Sequence, residues 1–218
     1  GESTLNALMT DHGGFEHNRQ SYRVVTLLER CYPNFTGLNL SLEVLEGIVK
    51  HESEYDSPDI TGIDFHAKGF PSLEAQIVNV ADEIAYINHD LDDGLESGMI
   101  ELEELEHLKL WWEEFRKASK KYPNMKPKMA KHQTVRRLIN LFVTDLLMET
   151  KKRIEKRKIK KLEDVAKHSE PIVSFSKELV KHTKELKNYL FKNLYRHYRV
   201  ERMADKSNRI LSALFTTY

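Results

Sequence analysis

Apolar residues recur at helical spacing along most of this chain, and strict alternation is almost absent. The run from Ser72 to Gly98, SLEAQIVNVADEIAYINHDLDDGLESG, reads as one helix capped by Ser72 and loosened at its end by Gly94 and Gly98. Its apolar set is Ile77, Val78, Ala81, Ile84, Ala85 and Leu91, and Asp82, Tyr86, His89 and Asp90 stand among them. Steps of four, seven and eight residues put these four polar side chains in one sector of a helix with about 3.6 residues per turn. Taken as the buried stripe, this face needs partners for its acids, because an isolated buried carboxylate is too costly. Two readings stay open from spacing alone: acids bonded to an Arg or a backbone group inside an ordinary core, or acids belonging to a site.

The same periodicity predicts the neighbouring elements. Ser3 opens a short helix through Leu5, Leu8 and Met9, ended by the turn Asp11-His12-Gly13-Gly14. Phe15 to Cys31 forms the next helix, with Val24, Val25, Leu27 and Leu28 inward and Pro33 closing it. Its first turns carry His17, Asn18, Arg19, Gln20 and Arg23, which make either an anion site on free backbone N–H groups or a solvated helix start. Asn39 or Ser41 caps a helix with Leu42, Leu45, Ile48 and Val49 on one stripe and Lys50 at its end, where the macrodipole favours a cation. Ser53 to Pro71 reads as a long loop with at most a short hairpin.

Met99 to Tyr122 is expected as one charged helix, with Leu102, Leu105, Leu108, Trp112 and Phe115 at helical spacing. Pro123 and Pro127 break the chain before a long amphipathic helix whose inward residues are Val135, Leu138, Ile139, Phe142, Leu146 and Met148. The last third gives two or three more helices, one starting within Ser174 to Lys177, with a kink at Arg196-His197-Tyr198. The fold class is all-α, without internal repeats.

Composition narrows the function classes. At 218 residues the chain can bury one sizeable core, or one core with an appended subdomain. Lys+Arg and Asp+Glu both total 34, so net charge gives no argument for a nucleic-acid partner. The distribution is uneven: Asp82 to Glu114 holds 12 acids and one base, and Phe115 to Lys161 holds 17 bases and three acids. Such opposed surfaces suit self-association or a polyanionic ligand such as single-stranded nucleic acid, or are simply two solvated helix faces. Cys31 is the one cysteine, which excludes an intrachain disulfide and points to a reducing, cytoplasmic setting. No apolar run approaches the ~18 residues of a membrane span. No basic-then-apolar signal opens the chain, and a helical pattern directly after Gly1 suggests a chain cut from something longer.

Several polar clusters together resemble the dGTP triphosphohydrolase family of the HD-domain superfamily. The matching stretches are GE at residues 1–2, LMTDHGGFEHNRQSYRVVTLLE, GLNLSLEVLEGIVKHE, QIVNVADEIAYINHDLDDG and LKNYLFKNLYRHYRVERM. They run in family order from the first residue to the last helix. The resemblance implies an HD-type helical bundle, incomplete here, with residues 1–122 as the C-terminal part of the catalytic domain and 123–218 as a helical C-terminal region.

It further implies hydrolysis of a deoxynucleoside triphosphate to the deoxynucleoside and inorganic triphosphate, with a divalent metal such as Mg or Mn held by His, His-Asp and a distant Asp. Asp82 matches that distant Asp. Tyr86 and Asp90 match side chains lining the nucleotide pocket, and Lys50 matches a lysine that contacts phosphate. Glu2 resembles the acid that assists the catalytic His, which by the family pattern would sit just before Gly1 and is absent too, and His17 resembles a further His near the triphosphate in some relatives, others having Gly there. The His-Asp pair and the first His of the family lie upstream of residue 1 and are absent, so this chain alone is expected to bind metal weakly and to be inactive. His89-Asp90 spells the motif but occupies the pocket-lining position. A homo-oligomer, or a non-catalytic helical module for oligomerisation or single-strand binding through the basic region, is the alternative expectation.

Overall fold

The computed structural model describes residues 1–51, 70–168 and 170–218. Among these there are nine α-helices and no strand, in accord with the all-α expectation. The loop and hairpin expected over Ser53 to Pro71 fall almost wholly outside the described residues. The chain divides into two compact units. One comprises Gly1–Asn79, Ile159–Ile172 and Arg202–Tyr218, and the other Val80–Lys158 and Val173–Glu201.

The first unit contains α1 (Glu2–Leu8), α2 (His17–Arg23), α3 (Leu42–Val49), the opening turns of α4 (Leu73–Glu96), α7 (Leu162–Ala166) and most of α9 (Tyr198–Thr217). Its buried interior is small and partly polar: Val49, Val165 and Ile172 with Asn18 and Gln76. Gln76 spans this interior, donating from Nε2 to the Pro71 carbonyl at 2.9 Å and accepting the Ile172 N–H at 2.9 Å.

The helix expected over Phe15 to Cys31 is shorter and changes character. After α2 the backbone widens into a π turn at Val24–Leu28 and leaves the helix at Glu29. The cause is a competing donor, since the Val25 carbonyl accepts the Leu38 N–H at 2.7 Å. The Gly37 N–H bonds the Glu29 carbonyl at 2.8 Å. Gly37 adopts φ +73°, and a Cβ there would stand 2.4 Å from the Thr26 carbonyl oxygen, so only glycine fits. Leu27 and Leu28 are exposed rather than inward.

The second unit holds most of the apolar core. It includes the remainder of α4, a 3-10 turn at Leu102–Leu105, α5 (Lys109–Lys121), α6 (Pro127–Arg157), α8 (Lys177–Leu190) and a π turn at Phe191–Tyr195. Ile87, Leu91, Trp111, Leu138, Phe142, Leu186 and Leu190 are almost fully buried. Burying each such side chain contributes about 1.5–3 kcal/mol. The single helix expected over Met99 to Tyr122 is broken, because Glu101 and Glu104 form a reciprocal capping box that closes the 3-10 turn. Leu105 and Leu108 both turn inward across the break, and Trp111 rather than Trp112 is the buried indole.

The long helix α6 is continuous, with Pro127 at its start and Lys158 in the left-handed conformation at its end. Val135, Leu138, Phe142 and Leu146 are buried as expected, whereas Ile139 and Met148 lie on the exposed side. Ser176 caps α8, its Oγ accepting the Leu179 N–H, and the expected kink appears where the chain leaves the π turn before α9.

Helix α4 forms over nearly the expected span, but its orientation differs. Beyond Gln76 in its first turns, the buried side chains are Ile84, Ile87, Asn88, Leu91 and Leu95. Asp82, Ala81, Ala85 and His89 are exposed, as are Ile77 and Val78 at 45% and 59%. Apolar residues occupy both sides of this helix, and the side carrying more large aliphatics won the core.

Candidate functional site

Glu2 opens α1 and His17 opens α2, and the two meet. Glu2 Oε1 accepts the His17 backbone N–H at 2.9 Å, and His17 Nδ1 stands 3.1 Å from both carboxylate oxygens. With a carboxylate accepting, Nδ1 carries the hydrogen and the ring is fixed in orientation. Both side chains remain partly exposed, so the pair is accessible.

Glu16, the residue before α2, caps it with both oxygens, accepting the Asn18 N–H at 2.8 Å and the Arg19 N–H at 2.7 Å. Of the two readings of this helix start, the anion site does not hold: its backbone donors are taken by the chain's own carboxylates. Arg19 turns back to the Gly13 and Gly14 carbonyls, at 2.7 and 3.1 Å.

Asn18, which the pattern marks only as one of several polar residues at this helix start, anchors this corner. It is 3% exposed, and its Nδ2 donates to the His51 carbonyl at 2.9 Å. His51 Nδ1 lies 2.5 Å from Asn79 Oδ1. Thus His17 sits on a helix start tied through Asn18 to the end of α3. His17, His51, Ile48, Ala75 and Val78 help line an open, largely apolar groove of about 770 Å³. Lys50 ends α3 and pairs with Glu46 one turn earlier at 2.5 Å.

On α4, Asp82 is exposed and its carboxylate makes no hydrogen bond or ion pair with the described residues. Tyr86 and Asp90 are half-buried. Lys187 of α8 places Nζ 5.9 Å from the Tyr86 ring centroid and 3.1 Å from Glu83 Oε1. The Tyr195 hydroxyl donates a short hydrogen bond to Asp90 Oδ2. Tyr195 and Lys187 lie in the stretch LKNYLFKNLYRHYRVERM, which marked the resemblance without indicating which of its residues touch α4.

Two donor sets bear on a metal. Glu2, Glu16 and His17 bring three ligand-type atoms within 4.8 Å of one another. Glu16 is already committed to two N–H groups and Glu2 to His17, so this trio is a hydrogen-bonding network. The Asp82 carboxylate is uncommitted among the described residues and exposed, which fits one hard oxygen ligand to a divalent cation.

The chain resembles known proteins in its last helices and over its whole length. Residues 173–218 match the family model described as phosphohydrolase-associated domain. Over its whole length it is 50% identical to the deoxyguanosinetriphosphate triphosphohydrolase-like protein of Geobacter metallireducens, covering 57% of that protein. It is 48% identical to the protein of the same name from Geobacter sulfurreducens, again covering 57%. With that of Thiobacillus denitrificans it shares 43%, covering 58%. The chain is thus related from end to end to the dGTP triphosphohydrolase-like proteins, as its motifs indicated, and spans just over half the length of these curated relatives. No described helix is long and apolar enough to cross a membrane.

Proposed function

We propose that this chain is part of a metal-dependent deoxynucleoside triphosphate triphosphohydrolase, which converts a dNTP and water to the deoxynucleoside and inorganic triphosphate. The observation that carries this reading is the Glu2–His17 pair, 3.1 Å from carboxylate to imidazole, in a chain that is 43–50% identical throughout to proteins named for that reaction. Glu2 commits Nδ1 of the ring, so proton transfer near the α-phosphate falls to Nε2. Lys50 supplies positive charge to the phosphates, with Glu46 fixing its reach. Tyr86 and Asp90 contact the nucleotide, and Tyr195 orients the Asp90 carboxylate.

Asp82 contributes one ligand to the divalent cation, Mg, Mn or another transition metal. That cation, when bound, supplies Lewis-acid polarisation of phosphoryl oxygens. One carboxylate cannot retain the metal alone, so the 218-residue chain by itself is inactive in this reading. Residues 1–122 then belong to the catalytic portion and 123–218 to a helical C-terminal region of a cytoplasmic enzyme.

The test is a triphosphate-release assay on the 218-residue chain and on the full-length protein that contains it. The chain is expected to show no turnover, and full-length protein to lose its turnover on Asp82→Ala. Robust dNTP hydrolysis by the chain alone, or an unaffected Asp82→Ala full-length variant, would overturn the reading.

Homo-oligomerisation is supported by α9, which has no buried residue among those described and exposes Met203, Ile210 and Leu214 along one amphipathic helix. A non-catalytic helical module remains the second reading on this ground. Sedimentation of wild type against Ile210→Asp, Leu214→Asp tests it.

A further inference from the structure

The geometry points to an oligophosphate-binding site on the outer edge of the α5–α6 pair, separate from every residue assigned above. There Glu114, Lys117, Arg136, Arg137, Asn140 and Thr144 line a pocket of about 350 Å³. At its base Glu114 is 4% exposed. Each of its oxygens is used: Oε1 accepts Lys117 Nζ at 2.5 Å and Oε2 accepts Arg137 Nε at 2.8 Å. A buried carboxylate that anchors two cations fixes their heads in place rather than leaving them to wander.

Arg137 commits its Nε edge to Glu114, and its terminal Nη groups make no bond to the described residues. Arg136, next to it on α6, is exposed and pairs with no described acid. Among the described residues lining the pocket, Glu114 is the sole acid against three cations. The surplus of positive charge sits in a concavity, where low-dielectric walls concentrate the field. Arg136, Asn140 and Thr144 follow one another at four-residue steps, so neutral hydrogen-bonding groups continue the basic end along one helix face over roughly 12 Å.

Three features select the ligand. Guanidinium forks suit phosphoryl oxygens, which accept two parallel N–H bonds. A surplus of two positive charges suits an anion carrying several, such as a chain of phosphates. Among the described residues of the lining there is no aromatic side chain, so bases of a single strand find no stacking platform there. The ligand is thus a small oligophosphate, free or carried by a nucleotide, and not a polynucleotide. This assignment does not rest on the catalytic reading above.

Calorimetric titration of inorganic triphosphate into the full-length protein, without divalent metal, tests it. Arg136→Glu is the primary variant because Arg136 is exposed and does not touch Glu114. It is expected to weaken triphosphate binding about tenfold or more, while Lys156→Glu, an equal charge change further along α6, alters it less than about twofold. A nucleoside triphosphate arm assigns the source: equal sensitivity to Arg136→Glu for both ligands means that the phosphate chain is recognised. Equal loss in the two variants, no loss in Arg136→Glu, or binding of the nucleotide with none of inorganic triphosphate would overturn the proposal. So would an oligonucleotide whose binding depends on Arg136 while triphosphate binding does not.

Discussion

Glu2 accepts from His17 twice, once from the backbone N–H at 2.9 Å and once from Nδ1 at 3.1 Å, although the two residues belong to different helices. Groups joined in this way act as a unit, and their removal is not additive. In the full-length protein Glu2→Ala and His17→Ala are each expected to lower turnover by roughly 10²–10⁴-fold, the range for acid–base assistance. The double variant should lose little beyond the larger single loss. Full additivity in steady-state kinetics would show that the pair is structural.

The Tyr195 to Asp90 bond ties the π turn after α8 to α4 across 105 residues of chain. A hydrogen bond to an ionised, half-buried acceptor contributes about 1.5–3 kcal/mol. Tyr195→Phe is expected to lower urea stability by about that amount, and in the full-length protein to raise KM for dNTP more than it lowers kcat. With Asp90→Asn the effects should couple, because both variants remove the same contact. Independent effects on KM would separate Tyr195 from the nucleotide-facing role given to Asp90.

Helices α4, α6 and α8 were legible because an apolar residue every three or four positions has few other solutions. The buried side of α4 was not. Ile77, Val78, Ala81 and Ala85 on one side compete with Ile84, Ile87, Leu91 and Leu95 on the other, and only packing decides between them. The break before α5 was hidden because Leu105 and Leu108 fit helical spacing whether or not the helix is continuous. The π turn depends on a Leu38 N–H reaching back to Val25, a long-range event with no local signal. At the candidate site, Glu2 and His17 were named from their motifs, and the structure brings the two side chains together. Asn18, Tyr195 and Lys187 act through distant partners, and their spacing along the chain carried no sign of it.

Glu114 is a buried carboxylate with two cationic partners of unequal exposure. Arg137 is the more enclosed, so Arg137→Ala leaves the acid short of its better partner. Breaking a buried pair costs about 3–5 kcal/mol, reduced here to about 2 because Lys117 stays and the Arg137 side chain reaches solvent. Lys117→Ala is expected to cost about 1 kcal/mol or less. Denaturant titration of both variants checks the order, and an equal loss would mean that Glu114 draws on the two cations alike.

Burial raises the Tyr189 phenol above its ordinary range, and the hydrogen bond to Glu104 at 2.8 Å adds to the effect. The unfolded phenol ionises at lower pH than the folded one, so this group's contribution to stability is complete below the unfolded pKa. It fades as pH rises from there toward the folded value. The expected outcome is a late-titrating phenol that Tyr189→Phe abolishes, in an absorbance or tyrosine-ring NMR titration. If Tyr189→Phe removes no late-titrating phenol while the fold persists, the Tyr189 environment is more open than this contact requires.

Val78 on α4 is 59% exposed, while Ile87 on the opposite side is fully buried. In the 218-residue chain Val78→Ser is expected to change stability by less than about 0.5 kcal/mol. Ile87→Ala should cost about 2–5 kcal/mol, because it opens a cavity in a packed core. The proposed function adds a condition: in the full-length protein the exposed α4 face, Ile77 and Val78 with Asp82, is covered by the part of the relatives' length that this chain does not span. Val78→Ser in that protein should then cost about 1–2 kcal/mol through lost apolar burial. Denaturant melts of the same substitution in the two proteins make the comparison. A small and equal effect in both would leave this face in solvent, and would remove the support it gives to Asp82 as one ligand of a larger site.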